Sequence, residues 1–577
     1  MNKHSKLIVV TMFIMIFATW FSHNVKSDLP LIFQKDLRAH DESSNSTVAA
    51  NITRQFFPPM IRVNPLDDKQ GNWMEGPFWQ HIPPLFAYVP YAFFELDGHV
   101  SIEVKRLSYA FVTLLTGILF IAIVFWFSRN LLAAFAALLA SLFWINTPFT
   151  HELITGYAFG VSDIVLAFTA VLAFGGILFY LEKDRAERLN YSWKRLAVIA
   201  LLVALPVMAK NLLGALPAAG FVLLLFWDQK KFNRNFWTSL SWLAGWLIAY
   251  YSPLLIASPG TFKNEILVSF FHAVNYEGWG RPWHFYITDY LPHRYLFGWT
   301  VWYWLGIIGA LLTLGIRITN YELRITVEAK MLGLCLGWFA ANLLAISLII
   351  SKIPNFIYQS YLFSLFAIFL SLFWWFDKWR IEQLDQKYLK WGLGIALVIA
   401  LLVTGRSVWR FEVLFEAHRA AAYNYNSERE KFYQVGEWLQ NFGLGPSDLV
   451  IARVSDNDCW LRYDVLFLTG AEAKTLTELS FHLPAGELVR QKYGRIFFIV
   501  NKAESVPAGI AAYQRVELDN YSVVAFDLKN LDNEATQRII AAFARSHEKD
   551  IAQDVARIKA DKTSCQWLVP DEILNAD

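Results

Sequence analysis

The chain has 577 residues, of which 55% are hydrophobic and 17% charged, and its formal net charge is +2. Its mean hydropathy is +0.33, and several apolar runs of about 20 residues are long enough to cross the hydrocarbon core of a bilayer. These values exclude a soluble globular protein, and the small net charge argues against a nucleic-acid partner. We therefore expect a polytopic α-helical membrane protein.

The cysteines are too few for a disulfide framework. Cys335 lies in an apolar run, whereas Cys459 and Cys565 share the polar C-terminal region. Those two could pair if that region lies in an oxidising compartment. No spacing typical of a zinc or redox site occurs in the sequence.

Eleven apolar segments are predicted to cross the membrane. The first follows Lys3 and Lys6 like a signal peptide but lacks a small-residue cleavage site, so we expect it to stay as an uncleaved span. The fifth and sixth are expected to form a tight hairpin around Lys210. The apolar segment from Pro83 to Leu96 is too short to span and is predicted to be interfacial or re-entrant. The predicted centres lie near residues 14, 115, 139, 170, 202, 220, 247, 307, 341, 366 and 400.

The orientation is predicted from the loops that are rich in lysine and arginine. Such loops follow the fourth, sixth, eighth and tenth spans, and the positive-inside rule places them in the cytoplasm. The loops 23–104 and 258–297, and the chain beyond about residue 406, then lie outside. The basic residues are Lys183, Arg185, Arg188, Lys194, Arg195, Lys230, Lys231, Arg234, Arg317, Arg324, Lys330, Lys378, Arg380, Lys387 and Lys390.

The composition changes near residue 427, which divides the chain into a membrane domain and a soluble domain. Residues 1–426, including the first external loop 23–104, are predicted to form the membrane domain, and residues 427–577 a small extracytoplasmic α/β domain. Its predicted helices cover Ser427–Phe442 and Glu534–Lys559. Short apolar runs predict strands at Leu449–Val454, Val465–Leu468, Ile496–Val500 and Ser522–Phe526.

The first external loop contains a predicted amphipathic helix that begins with the paired acids Asp41 and Glu42. Apolar Val48, Ile52 and Phe56 recur at a spacing of four, and Pro58 and Pro59 then stop the helix. Asp41 would be the N-cap, where the helix dipole and free backbone N–H groups keep a carboxylate ionised. An ionised carboxylate suits a general base, although an ordinary capped surface helix has the same pattern.

Further polar residues gather at the predicted external ends of the spans. Ionisable groups are costly there, so each is a candidate for function, although a headgroup anchor is the simpler explanation of each one alone. Carboxylates could activate an acceptor hydroxyl, and cations could hold a phosphate leaving group. External aromatic residues could stack on sugars or form an interfacial belt. These residues are His151, Glu152, Asp163, Lys210, Lys352, Arg406 and Arg410, with Trp73, Phe78, Trp79, Trp279, Trp283, Phe285 and Tyr286.

Seven motifs, in order over residues 1 to about 410, resemble those of the GT-C superfamily of integral-membrane glycosyltransferases. The likeness is to the family of protein O-mannosyltransferases and the lipid A aminoarabinose transferase (glycosyltransferase families 39 and 83). It implies a GT-C fold of about 11 to 13 transmembrane helices. The motifs are Asp41-Glu42, Trp79 to Tyr88, Arg106-Leu107, Ser162-Asp163, Met208 to Asn211, Gly280 to Tyr286 and Ser351 to Ile357.

The resemblance implies an inverting transfer of a sugar from a polyprenyl-phosphate donor to a lipid, glycan or protein acceptor. The reaction would take place on the external face of a bacterial inner membrane. Asp41 would be the base, with Asp163 and Glu42 as its helpers. The donor phosphate would be bound by Lys210, Lys352, Arg281 and Arg406, and the substrate-lining residues would be His81, Trp79, Glu152, Trp283, Tyr286 and Tyr358.

The resemblance implies no required cofactor, and metal is not generally required in these relatives. Asp41, Glu42, His81 and Asp163 could nevertheless supply ligands to a divalent cation. The donor and acceptor of the relatives do not carry over, because His81-Ile82 replaces Glu-Lys, Ser43-Ser44 replaces Arg-Tyr and Phe356 replaces Tyr. Two alternatives stay open. One is a flippase for lipid-linked sugars, which would favour polar groups at mid-span and repeat symmetry; the other is a non-catalytic scaffold derived from the GT-C fold.

Overall fold

The computed structural model describes residues 3–37, 40–66, 83–156, 162–183, 185–188, 190–229, 234–264, 280–296, 300–319, 326–349, 354–382, 430–452, 459–476, 479, 483–501, 514–518 and 521–561. The chain divides into two compact units. The membrane unit contains Met1–Ile32, His81–Phe86 and Arg106–Ala421. The α/β unit contains Phe33–Gln80, Ala87–Lys105 and Ala422–Asp577.

The membrane unit is built from apolar helices, because a helix satisfies every backbone polar group within one segment in lipid. Within the described residues, seven helices are long and apolar enough to span, or eight if the helices Leu131–Ile145 and Pro148–Thr155, bent by 63°, form one broken span. The helices are α1 (Lys3–Ile32), α4 (Ile102–Ser128), α5 (Leu131–Ile145), α6 (Pro148–Thr155), α7 (Ser162–Leu181), α8 (Arg185–Arg188), α9 (Trp193–Ala209), α10 (Asn211–Gln229), α11 (Arg234–Ala257), α12 (259–264), α13 (Thr300–Thr319), α14 (Val327–Leu348) and α15 (Tyr358–Glu382).

The predicted polytopic helical fold is confirmed. Every predicted span centre falls inside a helix except the one near residue 400, which lies outside the described residues. The total of eleven or more crossings stays a prediction, because α9 has only 17 residues. Helix α3 (Leu85–Asp97) has 13 residues and is too short to span. Its interfacial location also stays a prediction.

The hairpin predicted around Lys210 is confirmed. Helix α9 ends at Ala209 and α10 begins at Asn211, so Lys210 alone connects them. A Cβ atom added to Gly214 would lie 1.8 Å from the carbonyl oxygen of Pro206, so only glycine allows this close approach. The hydroxyl of Tyr250 donates to the carbonyl of Met208 at 3.0 Å. Helix α11 therefore holds the turn that presents Lys210.

The two ends of helix α7 carry different chemistry. Asp163 lies in its first turn, and the helix has 20 residues, which corresponds to about 30 Å. At the opposite end, Arg195 donates to Glu182 at 2.8 Å, and Lys330 donates to the carbonyl of Leu181, also at 2.8 Å. These basic residues come from the predicted cytoplasmic loops. They therefore gather a membrane thickness away from Asp163, although the side that faces the cytoplasm stays a prediction.

The α/β unit contains a five-stranded sheet in the order β2-β1-β3-β5-β4. Strands β2, β1 and β3 run parallel, and β5 and β4 are antiparallel to their neighbours. Strand β1, which lies between β2 and β3, is buried throughout, as expected of a parallel strand with both faces covered. The strands are β1 (Asp448–Ala452), β2 (Glu472–Thr475), β3 (Arg495–Asn501), β4 (Gln514–Glu517) and β5 (Tyr521–Asp527), and the helices are α2 (His40–Arg54), α16 (430–441), α17 (Cys459–Thr469), α18 (Gly486–Lys492), α19 (Asn533–Ser546) and α20 (Glu548–Asp561).

The predicted α/β class is confirmed, with corrections to single elements. The apolar runs at 496–500 and 522–526 lie in β3 and β5, and residues 449–452, the described part of the run 449–454, lie in β1. The run Val465–Leu468 is not a strand but part of helix α17, because a short apolar run does not distinguish a buried strand from a buried helix. The helix predicted at Glu534–Lys559 is two helices that meet at His547.

Much of the loop 23–104, which was predicted to be part of the membrane domain, belongs to the α/β unit. Helix α2 ends at Arg54, whose guanidinium donates to the carbonyls of Phe467 and Leu468 at 3.1 and 2.7 Å. These bonds cap the C-terminal end of α17. Burial lowers the pKa of Arg54 to about 10, so the group is charged at neutral pH. Asn64 donates to the carbonyl of Pro446 at 3.0 Å.

Leu66 completes the core of the α/β unit from the first loop. It is 2% exposed and belongs to one apolar cluster with Leu449, Ile496 and Phe498. We expect Leu66→Ala to destabilise this unit by about 2–4 kcal/mol through lost burial and a cavity. The measurement is amide hydrogen exchange in β3 and β5 of the purified full-length protein, which should accelerate.

The matched control for Leu66→Ala is Leu96→Ala, because Leu96 is 84% exposed and lies in the same unit. This control should change the stability by less than about 0.5 kcal/mol. Equal exchange rates in both variants would show that the first loop does not contribute to the core.

Candidate functional site

The candidate site of the membrane unit is built around the carboxylate of Asp163. This residue is 1% exposed and lies in the first turn of α7. Lys210 Nζ donates to Asp163 Oδ2 at 2.7 Å, and Asn355 Nδ2 donates to the same oxygen at 2.5 Å. The N-terminus of α7 also favours negative charge. A cation, an amide donor and the N-terminal end of a helix therefore surround the carboxylate of Asp163.

Three separate chain segments bring these groups together. Asp163 begins α7, Lys210 lies in the turn between α9 and α10, and Asn355 belongs to a 3₁₀ helix, Pro354–Ile357, that leads into α15. The ammonium group of Lys210 also lies 5.4 Å from the ring centre of Phe356, within reach of a cation–π interaction. Three of the motifs noted in the sequence therefore meet at one end of the membrane unit.

The ammonium group of Lys210 keeps capacity for a second partner. The side chain is 15% exposed, whereas that of Asp163 is 1% exposed. A lysine ammonium has three N–H donors, and its bond to Asp163 uses one of them. The arrangement can therefore hold Lys210 in place while the ammonium group binds an anion.

Tyrosines predicted to line the substrate are buried next to this site. Tyr358 is fully buried, and its hydroxyl lies 3.2 Å from Thr150 Oγ1. Tyr286 is also fully buried and begins a π-helix, Tyr286–Leu296. Glu152 lies on α6, two residues after Thr150. Whether any of the three contacts a substrate stays a prediction, and the observed contacts of Tyr358 fix α6 against α15.

A second buried pair joins the first span to α6. His151 Nδ1 lies 2.5 Å from Asp28 Oδ2, and both side chains are almost completely buried. A carboxylate at this distance fixes the orientation of an imidazole ring. His151 was among the sequence candidates, whereas Asp28 was missed. The signal that could have found Asp28 is a carboxylate near the end of a predicted span.

Two predicted residues lie on an exposed segment. Arg281 donates to the carbonyl of Gly280 at 3.0 Å, and its guanidinium lies 5.9 Å from the ring centre of Phe285. Trp283 is 67% exposed. The exposed position of Arg281 suits a contact with phosphate, and that of Trp283 suits stacking on a sugar. An interfacial anchor would have the same exposure. Both assignments remain predictions.

The acidic pair of the first loop lies in the α/β unit. Helix α2 begins at His40, so Asp41 is its second residue and not its N-cap. Glu42 is fully buried and pairs with Lys105 of the same unit, with 3.1 Å between Nζ and Oε1. Removing one member of such a pair leaves an uncompensated buried charge, which is strongly destabilising. Glu42 therefore fixes the start of α2.

Several predicted residues lie outside the described part of the chain. Among the described residues, no group of three or more His, Cys, Asp and Glu side chains could hold a metal ion. The suggested divalent-cation site stays a prediction, because His81 lies outside the described residues. The Cys459–Cys565 pairing also stays a prediction, because Cys565 lies outside them. Outside the described residues are Trp79, His81, Lys352, Arg406 and Cys565, and the side chains of Asp41 and Cys459.

Comparison with solved structures identifies the fold. The oligosaccharyltransferase of Archaeoglobus fulgidus in the apo form matches with a TM-score of 0.50 and 14% identity, over 87% of this chain and 70% of that chain. ArnT from Cupriavidus metallidurans bound to undecaprenyl phosphate matches with a TM-score of 0.49 and 14% identity, over 91% and 98% of the two chains. No protein-family model and no curated protein matches the sequence.

The fold of this chain is thus similar to that of the archaeal oligosaccharyltransferase. The fold expected from the seven sequence motifs is confirmed, together with the multi-pass membrane class. Because the identity is low, the likeness establishes the fold and not the reaction.

Proposed function

We propose that this protein is an inverting glycosyltransferase that uses a polyprenyl-phosphate sugar as its donor. The observation that carries the proposal is the arrangement of Asp163, Lys210 and Asn355, with 2.7 and 2.5 Å between the carboxylate and its two donors. This arrangement fixes the ammonium group of Lys210 at one end of a membrane-embedded helix bundle. The phosphate of a membrane lipid lies near the end of such a bundle, where a positioned ammonium group can bind it.

In the proposed reaction, Asp41 takes the proton of an acceptor hydroxyl, and the resulting oxygen attacks the anomeric carbon of the donor. The new glycosidic bond forms as the bond between the sugar and the phosphate oxygen breaks. Polyprenyl phosphate then leaves with the electron pair of that bond. The developing negative charge is stabilised by Lys210, which Asp163 and Asn355 hold in place. Asp163 acts here by positioning and charge balance.

Glu42 takes a positioning role in this proposal. Its carboxylate is fully buried and occupied by Lys105, so it is a poor candidate for accepting a proton from a substrate. Its pairing instead fixes the first turn of α2, which carries Asp41. The base thereby sits on a rigid helix, which favours precise positioning.

The proposed location is a bacterial inner membrane with the α/β unit outside. The support is the gathering of Arg195, Lys330 and other basic residues at the end of α7 opposite Asp163. If the basic end is cytoplasmic, Asp163 and Lys210 face the outside. The acceptor is then a lipid, glycan or protein exposed on that side.

The test uses purified protein in nanodiscs with a panel of undecaprenyl-phosphate sugars. Mass spectrometry should detect release of undecaprenyl phosphate together with a new glycoside, or with free sugar if water replaces the acceptor. A panel that remains intact would contradict the proposal. If the same protein in vesicles moved these lipids between leaflets without consuming them, a flippase would replace the glycosyltransferase as the conclusion.

A further inference from the structure

Two buried amide side chains at the start of α15, one of them bonded to Asp163, have hydrogen-bonding atoms without a partner. Asn355 and Gln359 lie four residues apart, on one face of the segment that enters α15. They are 3% and 1% exposed. Within the described residues, Asn355 Oδ1 and Gln359 Oε1 have no hydrogen-bond partner, and neither has the hydroxyl of the buried Ser162. Asn355 bonds to Asp163, Ser162 precedes Asp163 in the chain, and Gln359 contacts Leu213, which follows Lys210 on α10.

The hydrogen bonds donated by the two amide nitrogens determine which atoms remain without a partner. Asn355 Nδ2 donates to Asp163 Oδ2 at 2.5 Å, and Gln359 Nε2 lies 3.4 Å from the carbonyl oxygen of Leu213. Reversing either amide would place its oxygen against another oxygen. The unpartnered atoms are therefore carbonyl oxygens, which accept hydrogen bonds and cannot donate them.

Buried polar atoms in native proteins are almost always hydrogen-bonded, and the requirement is stricter inside a membrane. The two unpartnered carbonyl oxygens of Asn355 and Gln359 therefore indicate a ligand that supplies donors. A phosphate diester offers only acceptors, so it cannot satisfy these carbonyls. Sugar hydroxyl or amino groups can donate to them.

We propose that Asn355 and Gln359 form the subsite that receives hydroxyl or amino groups of the donor sugar, while Lys210 binds the phosphate of the same molecule. This inference rests on the proposed function and adds to it the orientation of the donor. Gln359 becomes a specificity-determining residue, because it accepts a hydrogen bond only from sugars with a donor group at the matching position.

The informative variant is Gln359→Met, which keeps the chain length and removes the acceptor. Because Oε1 has no described partner and Nε2 makes only a long bond, we expect no loss of thermal stability. Asn355 is unsuitable, since its amide also holds Asp163. The matched control is Gln491→Met, whose side chain is exposed and bonds only to Glu487 in the described part of the α/β unit.

The experiment compares the binding of bare undecaprenyl phosphate with that of its glucose, galactose, mannose and N-acetylglucosamine derivatives. The wild-type protein should bind at least one sugar derivative about ten-fold more tightly than the bare lipid. Gln359→Met should bind the bare lipid as the wild type does and lose this ten-fold gain. Lys210→Met should weaken binding of the bare lipid and of every sugar derivative, and Gln491→Met should leave the binding of all of them unchanged.

Two outcomes would overturn the subsite alone. One is a wild-type protein that binds the bare lipid and no sugar derivative more tightly, and the other is a Gln359→Met variant that keeps the full gain. A wild-type protein that binds none of these lipids would overturn the proposed function, and the subsite with it.

Discussion

Replacing Asp41 by asparagine is expected to reduce sugar transfer by about 10²- to 10⁴-fold. The amide keeps the shape of the side chain but cannot take a proton from an acceptor hydroxyl. The buried pair of Glu42 and Lys105 should keep helix α2 in place. The measurement is the rate of undecaprenyl phosphate release by purified Asp41→Asn protein, with the donor that the panel identifies.

The control for this variant is Asp97→Asn, at the end of α3 in the same unit, where the carboxylate side chain is 50% exposed. This control should transfer sugar at the wild-type rate. Circular dichroism and thermal unfolding should not distinguish either variant from the wild type. Wild-type activity in the folded Asp41→Asn protein would refute the assignment of Asp41 as the base.

Replacing Lys210 by methionine is expected to abolish transfer and also to destabilise the membrane unit, by about 3–5 kcal/mol. The reason is that Asp163, at 1% exposure, would lose its cationic partner. The double variant Asp163→Asn with Lys210→Met removes both charges. It should recover most of the stability and none of the transfer, which separates the structural role of the pair from its role in the reaction.

The control for Lys210→Met is Lys183→Met. Lys183 pairs with Glu187 at 3.3 Å, but the two side chains are 47% and 60% exposed. An exposed pair of this kind contributes at most about 1 kcal/mol. Thermal unfolding in detergent measures all three variants. A double variant as unstable as Lys210→Met would show that the buried charge of Asp163 is not the cause, and transfer by Lys210→Met would exclude the phosphate role.

Much of the membrane unit could be predicted from the sequence, because lipid imposes a local rule. A segment that crosses the bilayer must be apolar, helical and of sufficient length. These requirements can be read within about 20 residues. The same rule makes charged residues at helix ends conspicuous, so Asp163 and Lys210 could be named in advance and expected on one side. The structure then shows them 2.7 Å apart.

Other parts of the site could not be predicted, because neutral polar residues give no such signal. Gln359 looks ordinary in the sequence, and Asn355 stands out only as a member of the motif Ser351 to Ile357. The importance of both depends on which of their atoms find partners after folding. Asp28 likewise gained interest only when His151, 123 residues away, was found beside it. Hydrogen bonds between distant segments depend on packing, which no local pattern encodes.

In the α/β unit, too, local patterns in the sequence did not predict every element. Strands β2 (Glu-Ala-Lys-Thr) and β4 (Gln-Arg-Val-Glu) are polar and lie at the two edges of the sheet, so they lack the apolar run by which the central strands were predicted. The sequence by itself determined the membrane class, the helical spans, the central strands and the charged candidates. Only the tertiary structure decided that the first loop joins the C-terminal residues through Arg54 and Leu66. The physical reason is that hydropathy is a property of each segment, whereas capping bonds and core packing are properties of pairs of segments far apart in the chain.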